Sequence, residues 1–157
     1  MTARGAAAQP TIAIQQVDHI GIRVRDLDRA MAFYGALGFK LHVKITYDAV
    51  AIIRNEANVE INLIINANAG EPERNILMDV PEKYPGYTHV ALRVTSIADT
   101  MAALKQNGIA ITQGPVSFGA DGHVSVFVRD PDRNVIELRG RAEDVSKLEG
   151  VRHYVPE

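Results

Sequence analysis

Cysteine is absent from this 157-residue chain. Its absence removes disulfides, zinc–cysteine sites and thiol nucleophiles together, so any metal must be held by nitrogen and oxygen. Long apolar runs are missing too: none approaches the roughly 20 residues that span a bilayer. An excess of one charge is also lacking. The net charge of -2 gives no electrostatic case for nucleic acid or an anionic membrane as partner. Residues 1–16 lack the apolar core of a signal peptide and read as a loose arm, so the expectation is a cytoplasmic protein. A hydrophobic content of 46% with 23% charged residues is that of a globular chain, long enough for one core or for two small modules sharing one.

What the chain does have is an internal repeat. His-Ile-Gly-Ile-Arg-Val at residues 19–24 returns as His-Val-Ala-Leu-Arg-Val at residues 89–94, an offset of 70. The register then holds, with Met31 matching Met101, Ala32 matching Ala102 and Gly38 matching Gly108. Each copy alternates, as a strand does. His19, Gly21 and Arg23 fall on one face and Ile20, Ile22 and Val24 on the other; His89, Ala91 and Arg93 oppose Val90, Leu92 and Val94 in the same way.

The spacing predicts a first module over 17–66, a linker over 67–86 rich in breakers (Gly70, Pro72, Pro81), a second module over 87–140 and a tail over 141–157. In the first, Asp26 caps a helix over 27–37 whose apolar stripe is Leu27, Ala30, Met31, Tyr34 and Leu37, and Gly38 ends it. Strands follow over 39–46, 49–54 and 59–66. In the second, Ser96 and Asp99 open a helix over 97–106, followed by strands at 110–112, 123–129 and 134–139. Residues 75–80 read as a short strand or a lid, and 141–150 as a short helix. The fold class is α+β: tandem βαβββ modules whose two sheets, facing each other, form a concave, barrel-like sheet around a site.

Four residues take corresponding places. His19 and His89 sit on the opening strands, Glu60 and Glu137 on the closing ones, where Asn62 shares the face of Glu60 and Arg139 that of Glu137. A charge centred in an apolar strand is costly to bury unless paired or metal-bound. Any one of them alone reads as an ordinary hydrogen-bonding residue. Four at repeat-equivalent places read as a divalent-metal site suited to nickel, cobalt, zinc, manganese or iron(II), with open positions for two adjacent substrate oxygens. His42, His123 and His153 have no repeat partner and are expected in surface or loop roles. Arg23, Arg93 and Arg139 share the cleft face. They either bind an anionic substrate or balance Glu60 and Glu137.

Asp18-His19 with Arg25-Asp26, Phe33-Tyr34, Leu37-Gly38-Phe39, Thr88-His89-Val90, and the run from Phe127 through Asp130-Pro131-Asp132 to Ile136-Glu137-Leu138 resemble the vicinal oxygen chelate superfamily. That group includes glyoxalase I, fosfomycin-resistance thiol transferases, extradiol dioxygenases and bleomycin-binding proteins. The resemblance implies one divalent metal ion, a small-molecule substrate and a homodimer, with modules paired within a chain or across it. A full His, Glu, His, Glu set is similar to bacterial-type glyoxalase I. That likeness implies a lyase or isomerase working through a metal-stabilised enediolate, with Glu137 or Glu60 as catalytic base and Arg23 at the glutathione-contacting position. Other glutathione contacts do not carry over: Ile64, Pro85 and Pro115 stand where Asn, Arg and Lys are expected. Arg133 replaces a usual turn glycine. The rival activities, ring-cleaving dioxygenase or thiol transferase, need only His19, His89 and Glu137. Dioxygenases place a Tyr ten residues before the last ligand, where this chain has Phe127, a substrate-lining residue without an acid–base hydroxyl. A metal-free binding module is the reading from a different class.

Overall fold

A computed structural model describes residues 12–70, 74–117, 121–142 and 148–153. The first module runs β1 (Ile20–Val24), α1 (Leu27–Ala36), β2 (Lys40–Ile45), β3 (Val50–Arg54) and β4 (Glu60–Ile65). The second runs β5 (Val90–Ser96), α2 (Ile97–Gln106), β6 (Ile111–Ser117), β7 (His123–Arg129) and β8 (Val135–Arg141), and a two-residue β9 (Arg152–His153) follows. The sheet orders are β1-β4-β3-β2 and β5-β8-β7-β6-β9, with β1 parallel to β4 and β5 parallel to β8. The modules thus share one topology, and the sheets curve without closing into a barrel. Among the described residues no helix is long and apolar enough to cross a membrane.

Both helices are set by local chemistry. Asp26 accepts from the Arg29 N–H at 2.8 Å, and Ser96 from the Asp99 N–H at 3.2 Å, each satisfying an otherwise free donor of the first turn. Gly38 and Gly108 follow the C-caps at φ of 89° and 67°, a conformation that a side chain disfavours. β6 is longer than the pattern predicts, continuing through Gly114 and Pro115 with two register shifts. The tail helix expected over 141–150 falls largely on 143–147, outside the described residues, as does most of the N-terminal arm.

One apolar core serves both modules. Ile22, Val24, Tyr34, Ile61 and Leu63 from the first join Ile97, Leu104, Val126, Ile136 and Leu138 from the second in one cluster. Burying these faces together is the main stabilising term, about 1.5–3 kcal/mol for each fully enclosed large side chain. The polar face of each sheet is the one opposite its share of this core. Among the described residues, the cleft expected between the two sheets gathers no group of three metal-ligating side chains within one chain.

The turn between β7 and β8 fastens the modules. Tyr34 Oη donates to buried Asp130 at 2.9 Å, the Arg25 N–H to Asp132 at 3.2 Å, and Asn134 Nδ2 to the Arg23 carbonyl at 3.1 Å. Burial, then the Asp130 charge, pushes the Tyr34 phenol far up. Burial also raises Asp130, against the lowering effect of its hydrogen bonds. The linker adds to the turn: Asp79 takes two hydrogen bonds from Arg133, at 2.6 and 2.9 Å, and lies 3.3 Å from Arg129. The segment 75–80 is a set of turns and not a strand. Its Met78 packs on Val116, Phe127 and Val135 over the polar-face side of the second sheet.

Candidate metal centre

On the second module the expected pair comes together. His89, the residue just before β5, points Nε2 at Glu137 Oε2 across 3.1 Å. Two neighbouring donors on an ion with bonds of about 2.1 Å stand about 3 Å apart, so this spacing suits a shared metal. Glu137 is 8% exposed. Ser125 Oγ donates to its other oxygen at 2.5 Å, and Thr88 Oγ1 holds His89 Nδ1 at 2.9 Å. Each candidate ligand is thus oriented from its far side, as metal ligands are. The Phe127 ring stands edge-on to His89 with centroids 5.6 Å apart. Ala91, small, faces Glu137 across the β5–β8 pairing.

The first module offers a matching half. His19 lies just before β1, and its Nδ1 donates to Asp18 at 2.8 Å, leaving Nε2 as the lone-pair nitrogen. Asp18 and Thr88 precede their histidines at repeat-equivalent places, a signal that the residue pattern carried and the sequence reading did not use.

The closing strand requires a correction. Ile20 pairs with Ile61 and Gly21 with Asn62, whereas Val90 pairs with Ile136 and Ala91 with Glu137. The position matching Glu137 is therefore Asn62, not Glu60. Extra residues in the second copy stretch the repeat offset between its helix and its last strand. Glu60 sits two pairs away, opposite Arg54, whose Nε donates to it at 2.6 Å. Arg54 Nη1 also lies 3.2 Å from exposed His42 Nε2. Asn62 Oδ1 is buried, and among the described residues it has no hydrogen-bond partner. Such an orphaned acceptor calls for a ligand, an ion or a water.

The arginines do not balance the two glutamates. Arg54 neutralises Glu60, and Glu137 is held by Ser125 and His89. Arg139 bonds Ser125 at 3.2 Å and Asp121 at 2.9 Å. Arg93 donates to His123 Nε2 at 2.8 Å, and Arg23 is exposed. His123 is not a surface histidine: its side chain is 15% exposed and shares the Ser125 face of β7. Its Nδ1 lies 3.2 Å from Asp121 but out of line for a hydrogen bond. The His123 backbone N–H, more than any other group, holds the Asp121 carboxyl below its usual range. His153 is exposed on β9.

Among the described residues no three His, Asp or Glu side chains come together as a group that could hold a metal ion. The donors themselves fit a divalent ion in chemistry: two imidazoles, one carboxylate and one amide oxygen.

Comparison with known proteins gives relatives of the same kind. The chain is 33% identical over 133 residues to the glyoxalase domain-containing protein RDO1 of Mycosarcoma maydis, covering 83% of this chain and 70% of that one. It is 33% identical over 133 residues to a lactoylglutathione lyase of Haemophilus influenzae, covering 78% and 90%. The crystal structure of virulence protein STM3117 from Salmonella typhimurium superposes with a TM-score of 0.60 at 29% identity, covering 83% of this chain and all of that one (100%). A family model matches residues 16–138, and with these relatives it shows that the chain belongs to the glyoxalase/bleomycin resistance protein/dioxygenase superfamily.

Proposed function

We propose that the protein is a divalent-metal-dependent lyase or isomerase of the glyoxalase I type, acting on a small molecule with two adjacent oxygens. The observation that carries this reading is the His89–Glu137 pair, 3.1 Å apart and oriented from behind by Thr88 and Ser125. His89 and Glu137 would hold the ion from one module; His19 Nε2 and Asn62 Oδ1 would do so from the other. Glu60 would join only by leaving Arg54. Bound there, nickel, cobalt, zinc or manganese would polarise the two substrate oxygens and acidify the C–H of the hydroxyl-bearing carbon beside the carbonyl.

The chain's own side chains supply the rest. Glu137 takes the proton from that carbon and returns it to the neighbouring one, with Ser125 holding one oxygen so that the other is aimed. Phe127 and Met78 keep water from the carboxylate. Arg23 and Arg93 draw in the substrate's negative charge. Among the described residues no full ligand set gathers within one chain, which supports a second copy bringing the first module of one chain against the second module of another. The proposed assembly is a homodimer.

A second reading has one observation in its favour. With Asn62 in the matching position, the carboxylate count is that of the ring-cleaving dioxygenases and thiol transferases, although Phe127 offers no hydroxyl for the former.

Elemental analysis of protein purified without chelator or nickel affinity, followed by turnover of hemithioacetals, tests the proposal. About one nickel, cobalt, zinc or manganese ion per chain with turnover supports it, and retained iron with ring cleavage favours the second reading. A protein that takes up no ion on reloading defeats both and leaves a binding module.

A further inference from the structure

We infer that the site is one carboxylate short and that its substrate supplies the missing charge. The ligand class is a small anion chelating through two adjacent oxygens, for which glycolate is a simple binding probe. This deepens the reading above and rests on it.

Three observations converge. Asn62 holds beside Gly21 the place that Glu137 holds beside Ala91, and its Oδ1 is buried without a partner among the described residues. An amide oxygen can accept or ligate but brings no charge. Second, Glu60, the nearest carboxylate on that strand, is already neutralised by the Arg54 guanidinium at 2.6 Å. Third, the cleft-face cations are under-matched. Arg139 takes Asp121, while Arg93 rests on an imidazole nitrogen and not on an anion.

A divalent ion facing one carboxylate keeps a net positive charge, and Arg93 and Arg23 add to it. A neutral chelate would leave that excess uncompensated, whereas an anionic one cancels it and gives the guanidinium forks a partner. The space is present too: a Cβ built on Gly21 would meet nothing within 4 Å, so the strand beside Asn62 leaves room for a ligand.

The test uses the full chain loaded with cobalt(II), read by its visible spectrum and by calorimetry. The matched probes are glycolate and hydroxyacetone, which share adjacent oxygens but differ in charge. Asn62→Asp adds a carboxylate without adding bulk. It should tighten cobalt binding roughly tenfold or more, alter the cobalt spectrum, and cut the preference for glycolate over hydroxyacetone by a similar factor. Arg93→Gln should weaken glycolate about tenfold relative to hydroxyacetone without loosening cobalt. A wild type that binds cobalt, with an Asn62→Asp variant identical to it in metal affinity, spectrum and probe preference, overturns this assignment alone. A wild type that binds no metal defeats the metal reading and this one with it. Circular dichroism of each variant separates these outcomes from misfolding, and Asn62→Glu serves as the second carboxylate variant if Asn62→Asp does not fold.

Discussion

Tyr34, on the first helix, donates its phenolic hydrogen to the buried carboxylate of Asp130, in the turn before the last strand of the second module, at 2.9 Å. This bond crosses the module boundary. Tyr34→Phe removes the donor and leaves the carboxylate under-satisfied, so a loss of about 1.5–3 kcal/mol is expected. Urea unfolding checks it: the midpoint should fall while the slope stays the same. An unchanged midpoint would mean that the contact fastens nothing.

Asp79 predicts a pH dependence. The Arg133 side chain, as the largest cause, holds its carboxyl down at about 2, with burial opposing and the Asn75 N–H and Arg129 assisting. The folded value lies below the ordinary 3.8, so the stabilisation is present above about pH 4 and is lost as pH falls toward 2. After allowance for solvent screening it is on the order of 1 kcal/mol. Asp79→Asn should be less stable at pH 6, and the gap should close by pH 2. A gap that stays constant would remove Asp79 as its source.

For the proposed chemistry, Glu137→Gln keeps an oxygen donor but loses the base. Turnover should fall by about a hundredfold or more while much of the metal is retained. His19→Ala and His89→Ala should lose both. Normal turnover in Glu137→Gln would disprove the base assignment.

If sites are shared between chains, two inactive variants should rescue each other. Mixing His19→Ala with His89→Ala, with exchange of subunits, should form hybrid dimers holding one intact site and one doubly defective site. A statistical mixture then recovers about a quarter of wild-type activity. No recovery despite proven exchange would place each site within one chain.

The elements that the sequence revealed were those with local causes. Asp26 and Ser96 cap their helices with hydrogen bonds spanning three residues, and the alternation about His19 and His89 assigns faces without knowledge of any partner strand. Glu60 shows where such reasoning stops. A slip of one residue flips a side chain to the wrong face and is noticed, but a slip of two preserves the face and is invisible to alternation. Only the pairing of Gly21 with Asn62 exposes it. The Arg133–Asp79 clamp was hidden for another reason: its partners lie 54 positions apart, and nothing in either segment points to the other. It also shows how a non-glycine residue is kept at φ 65° in a turn, with its guanidinium held by two bonds to one carboxylate.

The common core carries a consequence for assembly. On the proposed pairing of half-sites between copies, each chain would be a two-headed connector. Such a body can satisfy both heads by closing into a ring of two or by propagating as an open fibre. In that proposed assembly the relative setting of the two modules, held in part by the Tyr34–Asp130 and Arg25–Asp132 contacts, would decide between closure and propagation. The residues that fasten the modules would thus set the proposed assembly's symmetry from outside the site.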